Sequence, residues 1–163
     1  ESYSTIAGFF RQYELVYIVA DERDVIRVRT SFREPREDVY VYRVRAPLEN
    51  GRRVFLDYIK AMNEMHKQPK FYNTFTTNCT TGALMHTRMN PESPPLSWKI
   101  LISGYVPEYL YELGRLDTKQ SFQELRKLSR VNARADAAGA DATFSQRIRE
   151  GLPVPRPWGE KQK

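Results

Sequence analysis

Apolar and polar positions along the chain divide it into a strand-like first third and a helix-like remainder. Leu15, Val16, Tyr17, Ile18 and Val19 stand together, and the stretch from Gln12 to Ala20 reads as a strand of high β propensity. The acidic run Asp21-Glu22-Arg23-Asp24 reads as a turn or a helix start. After it, Val25–Arg29 alternates apolar and basic residues, as a strand does. Val39–Arg45 alternates most regularly, with bulk on both faces, which predicts a strand covered on both sides. From Pro47 the period changes. Phe55, Tyr58, Ile59, Met62 and Met65 recur at helical spacing, and Gln68-Pro69 closes that helix. A second helix is expected from about Cys79 to Arg88, capped by Asn78. Two short helical pieces broken around Gly104 and Pro107 follow. Phe122, Leu125, Leu128 and Val131 mark another helix, and a weaker one covers Phe144–Glu150. Strands followed by helices predict an α+β domain with an antiparallel sheet over residues 1–151. Residues 152–163 hold three prolines and no periodic pattern, and read as a mobile tail.

Composition narrows the class. The 163 residues suffice for one domain with a core, and 28% charged with 40% hydrophobic residues is ordinary for a globular protein. The net charge of +6 is spread along the chain among interleaved acids. It suits a surface that meets anionic partners, but no basic cluster is interleaved with aromatics, so nucleic acid is not the expected partner. No apolar run approaches the ~20 residues of a membrane span. One cysteine excludes an internal disulfide, and with two histidines it argues against a structural zinc site. No cofactor is implied. The opening Glu-Ser-Tyr-Ser, without Met or an apolar leader, reads as the start of a trimmed or excerpted chain.

The single cysteine, Cys79, is the candidate reactive centre. It lies in Thr-Thr-Asn-Cys-Thr-Thr, polar surroundings that make a poor core segment. A thiol attacks as the thiolate, and the first turn of a helix favours negative charge through its unpaired N–H groups and aligned dipoles. Asn78 as cap places Cys79 at the first helical position, and the backbone N–H groups of Thr80 and Thr81 are candidates for an oxyanion site. Gly82 lets another segment or a substrate approach closely. Such a grouping suits acyl transfer through a thioester. A base is harder to find. His86 is seven residues on, ~10.5 Å of helical rise, too far for a direct hydrogen bond and better read as a packing or surface residue. His66 reaches Cys79 only if the intervening loop folds back.

Three segments resemble one bacterial family. They are Phe9–Asp24 (FFRQYELVYIVADERD), Phe71–Thr81 (FYNTFTTNCTT), and Gly104-Tyr105 with Leu113–Thr118. The pattern resembles the N-terminal periplasmic domain of Lnb-type lipoprotein N-acyltransferases, over about Glu1 to Gly151. The resemblance implies a periplasmic, membrane-associated enzyme that moves a fatty acyl chain from a phospholipid to the N-terminal amine of a lipoprotein. It implies a circularly permuted papain-like fold of the NlpC type, with Cys79 as nucleophile and Asn78 the residue before it. It also implies a catalytic histidine on an apolar strand upstream of the segment matching Glu1. That strand is absent from this sequence, so the domain is expected to lack an N-terminal strand.

The first expectation is thus a thiol acyltransferase with phospholipid and lipoprotein substrates and peripheral membrane contact. Tyr72 and Asn73 are then candidate loop contacts at the site. A cysteine hydrolase, peptidase or amidase, uses the same nucleophile with water as acceptor. A non-catalytic periplasmic binding domain with an inert thiol is the third possibility.

Overall fold

The computed structural model describes residue 10, residues 12–73 and residues 79–159. It corrects the expected architecture. The chain is helical, with 51% helix and no strand or sheet among the described residues, so neither the antiparallel sheet nor a papain-like α+β layering is present there. In chain order the α-helices are α1 (Glu22–Arg27), α2 (Leu48–Lys67), α3 (Cys79–Thr87), α4 (Trp98–Leu101), α5 (Val106–Glu112), α6 (Phe122–Ser129), α7 (Asn132–Ala138) and α8 (Phe144–Arg147). A π turn, Val28–Phe32, extends α1, and a 3₁₀ turn, Ser103–Tyr105, precedes α5.

The three expected strands fail for separate reasons. Val25–Arg29 has a strand-like alternation, but Asp21 overrides it. Its carboxylate accepts from Arg23 N–H at 2.8 Å, and its carbonyl accepts from Asp24 and Val25 at 3.0 and 3.1 Å. That closes the first turn of α1. Residues 12–20 form no regular element and meet a neighbour at one isolated bridge, Glu14 with Phe71. Val16 and Ile18 there are 69% and 84% exposed. Val39–Arg45 likewise makes one bridge, Tyr40 with Arg130. Its partner is the short link between α6 and α7, which offers no further length for a ladder.

The described chain divides into two compact units. The first comprises Glu1–Ile18 and Ala46–Leu110. There α2 packs on α3, and α3 on α4. Tyr58, Met62 and Met65 of the expected α2 stripe are half-buried, whereas Phe55 and Ile59 are exposed, and no residue of α2 is fully buried. Ser97 caps α4 by accepting from Lys99 N–H at 3.3 Å, and the Tyr109 hydroxyl donates to the Pro95 carbonyl at 2.8 Å.

The second unit comprises Val19–Arg45 and Tyr111–Lys163. Its core is Ile26, Val131, Ala135, Ala138, Phe144, Ile148 and Leu152, with Val39 and Val41 packed against it. Val131, Ala135 and Ala138 recur at i, i+4 and i+7, the buried stripe of α7. Buried Asn132 substitutes for the missing sheet partner. Its Oδ1 accepts from Val39 N–H at 2.9 Å, and its Nδ2 donates to the Glu37 carbonyl at 2.8 Å. Asn132→Ala leaves both backbone groups without these partners, and unfolding of this unit in urea is expected to become easier by about 2 kcal/mol. At the end of the described chain, Leu152 is buried and Trp158 lies under two guanidinium groups, Arg115 at 4.4 Å and Arg45 at 5.6 Å from its ring centroid.

An ion pair links α1 to the turn after α8. Arg149 Nη1 and Nη2 each donate to the Glu22 carboxylate at 2.6 Å, which holds the Glu22 carboxyl below the usual glutamate range. A carboxyl of lowered pKa stabilises the fold above its unfolded value of about 4.3, and that stabilisation is lost as pH falls through the lower folded value. The melting temperature should therefore drop on acidification below about pH 4.3, and Glu22→Gln should flatten that drop.

Candidate functional site

The cysteine site lies wholly in the first unit. Cys79 is exposed and is the first described residue of α3, the residues just before it lying outside the described ones. Its Sγ lies 3.8 Å from the Thr80 hydroxyl. Thr80 and Thr81, which follow it in α3, are half-buried. Asn78, the expected cap, lies outside the described residues. Among the described residues, a Cβ placed on Gly82 meets nothing within 4 Å.

A small backbone clasp lies earlier in the chain than α3. Leu15 N–H donates to the Lys70 carbonyl and Tyr72 N–H to the Tyr13 carbonyl, both at 2.8 Å. This clasp joins residues 12–20 to the segment before the cysteine. Tyr72 and Asn73, the expected loop contacts, are half-buried within it. His66 sits exposed in the last turn of α2, and among the described residues no hydrogen bond joins it to Cys79.

The other histidine is where the structure adds most. His86 lies at the far end of α3, only 6% exposed. Its Nδ1 is 2.7 Å from Asp57 Oδ2 of α2, and its Nε2 is 2.9 Å from the Tyr17 hydroxyl. A carboxylate can only accept, so Nδ1 carries the hydrogen of this bond, and in the neutral ring Nε2 accepts from Tyr17. Burial, and then the nearby Asp57 charge, push the Tyr17 phenol up, so it keeps the proton it donates. The Tyr58 ring lies 3.8 Å from the imidazole, centroid to centroid, and meets the Tyr17 ring edge-on at 5.9 Å. His86 is a packing residue, as its distance from Cys79 suggested, but one with both ring nitrogens engaged.

Tyr17 and Asp57 were not among the residues singled out from the sequence. Asp57 carried a usable signal. It falls on the inward arc of α2, beside Tyr58 and one turn before Ala61, where a lone acid needs a partner. Tyr17 carried none, because 69 residues separate it from His86.

Among the described residues no group of three or more His, Cys, Asp or Glu side chains could hold a metal ion, and no helix is long and apolar enough to cross a membrane. A cavity of about 520 Å³ in the second unit is lined by Glu22, Arg43, Ser145, Gln146, Arg149 and Glu150. Its Arg149 is committed to Glu22, and it contains none of the residues of the cysteine site.

Residues 1–104 match the family described as the Lnb N-terminal periplasmic domain. The match takes in the clasp, α2, the cysteine helix and α4, and ends before Tyr105. No curated protein and no solved structure matches the chain.

Proposed function

Because the chain belongs to the Lnb N-terminal periplasmic domain family, we propose that it is a thiol-dependent acyltransferase carrying a fatty acyl chain from a phospholipid to the N-terminal amine of a lipoprotein. The observation that carries this reading is Cys79 itself, exposed on helix α3 inside the matched region. An inert structural cysteine is ordinarily buried.

The transfer runs in two balanced steps. Cys79 sulfur attacks the ester carbonyl of the phospholipid, and the S–C bond forms as the C–O bond to glycerol breaks. The thiol proton ends on the leaving oxygen, giving a lysophospholipid. The lipoprotein amine then attacks the thioester carbonyl, the N–C bond forms and the C–S bond breaks. The amine gives up one proton, which returns to the thiol. In both steps negative charge develops on the carbonyl oxygen, and the dipoles of the first turn of α3, where Thr80 and Thr81 stand, favour it there.

A direct test supplies the protein with phosphatidylethanolamine vesicles and a diacylated peptide bearing a free N-terminal cysteine. Mass spectrometry should show the peptide gaining one acyl chain as an amide while lysophospholipid accumulates. Free fatty acid, or a cleaved peptide, without acylated product would instead make water the acceptor and the protein a cysteine hydrolase. Turnover of neither substrate would leave a binding domain.

A further inference from the structure

The helix that carries Cys79 is not anchored by an apolar face. Its apolar residues Ala83, Leu84 and Met85 are consecutive, so they point about 100° apart around the axis rather than along one side. Met85 is 60% exposed, and of the nine residues of α3 only His86 is buried. The buried end of this helix is held instead by a polar anchor. His86 Nδ1–H donates to Asp57 on α2, His86 Nε2 accepts from Tyr17 in residues 12–20, and the Tyr58 ring covers the imidazole. Two hydrogen bonds and one ring contact, made to two different segments, define an orientation where a greasy stripe would allow rolling.

We propose that His86, Asp57 and Tyr17 are positioning residues for Cys79. This rests on the reading of Cys79 as the acyl carrier. Their separation of seven positions makes a lever of about 10.5 Å, so a tilt of about 10° at His86 moves the thiol by about 2 Å. Misplacing a reacting group by about 1 Å can cost about 10²-fold in rate. The anchor acts by geometry. An acceptor oxygen at Asp57 is what it requires, and a negative charge is not.

Substitutions at Asp57 separate these two requirements. Asp57→Asn keeps an oxygen that accepts from His86 Nδ1–H but removes the charge, and Asp57→Ala removes the acceptor. Three measurements are made on the full chain: thioacylation of Cys79 from phosphatidylethanolamine vesicles, alkylation of Cys79 by iodoacetamide, and backbone amide exchange over residues 80–87. Asp57→Ala should slow thioacylation about 10- to 100-fold, leave alkylation of the exposed thiol within about twofold, and speed amide exchange in α3. Asp57→Asn should restore thioacylation to within about threefold of the parent and restore amide protection. Tyr17→Phe, which removes only the hydroxyl, should fall between the two alanine and asparagine variants.

The proposal is overturned if Asp57→Asn is as slow as Asp57→Ala, since charge would then be the requirement. It is equally overturned if Asp57→Ala thioacylates at the parent rate. If the parent protein takes up no acyl chain, the acyltransferase reading fails on its own, and amide exchange decides the anchor. Protection lost in Asp57→Ala and regained in Asp57→Asn supports it, and protection unchanged in Asp57→Ala overturns it.

Discussion

Cys79→Ser is expected to lower acyl transfer to the lipopeptide amine by roughly three orders of magnitude or more. The substitution exchanges one atom and keeps the helix start, so folding should be unaffected. Chemically the change is large. A serine hydroxyl is a weak nucleophile unless an adjacent base takes its proton. The imidazole of α3 is engaged at both nitrogens by Asp57 and Tyr17, two helical turns away. Alkoxide formation therefore has no support from that ring, whereas sulfur reacts with less assistance. The comparison is read by mass spectrometry of the lipopeptide product. A serine variant within tenfold of the parent would remove Cys79 from the chemistry.

Phe144→Ala should have the largest effect on stability, about 3–5 kcal/mol. Phe144 is only 1% exposed and packs with Ile26, Val131 and Ile148 at the centre of the second unit. That unit has a single small core, and a typical whole domain is stable by only about 5–15 kcal/mol. Truncation deletes a large apolar side chain from surroundings with few ways to collapse, since α7, α8 and residues 39–41 are all tied by hydrogen bonds. Trp158 lies in this unit and Trp98 in the other. A urea titration followed by Trp158 fluorescence in a Trp98→Phe background isolates the transition. A shift below about 1 kcal/mol would mean that Phe144 is not the centre of this core.

The helices were legible in the sequence where local chemistry decides. Pro47 and Gln68-Pro69 bracket α2 within a residue, α3 covers Cys79–Thr87 of the expected second helix, and the breaks at Gly104 and Pro107 correspond to the 3₁₀ turn and the start of α5. The sheet was misjudged because β propensity registers side-chain shape and cannot supply a partner strand. Residues 12–20 and Val39–Arg45 form no strand, and each meets only one bridging residue. The alternation in Val25–Arg29 was overruled by the Asp21 cap, a two-residue interaction stronger than the pattern it interrupts. Helix α7 was missed because its buried face is built from Ala135 and Ala138 and its clamp from Asn132, none of which stands out in a hydrophobic scan.

The candidate site divides in the same way. Cys79 stood out as a candidate because its polar flanks are a local signal, and the structure places it exposed on α3. The Asp57–His86–Tyr17 anchor did not, because its three residues come from distant parts of the chain and meet only after folding. In the fold His86 is engaged by Asp57 and Tyr17, contacts that sequence distance could not suggest.

The most direct measurement is the intact mass of the protein after incubation with phosphatidylethanolamine vesicles in the absence of any amine acceptor. A fatty acyl adduct should appear, map to Cys79, and be released by neutral hydroxylamine as a thioester is. No adduct, or an adduct that persists in Cys79→Ala, would contradict the assignment of Cys79 as the acyl carrier.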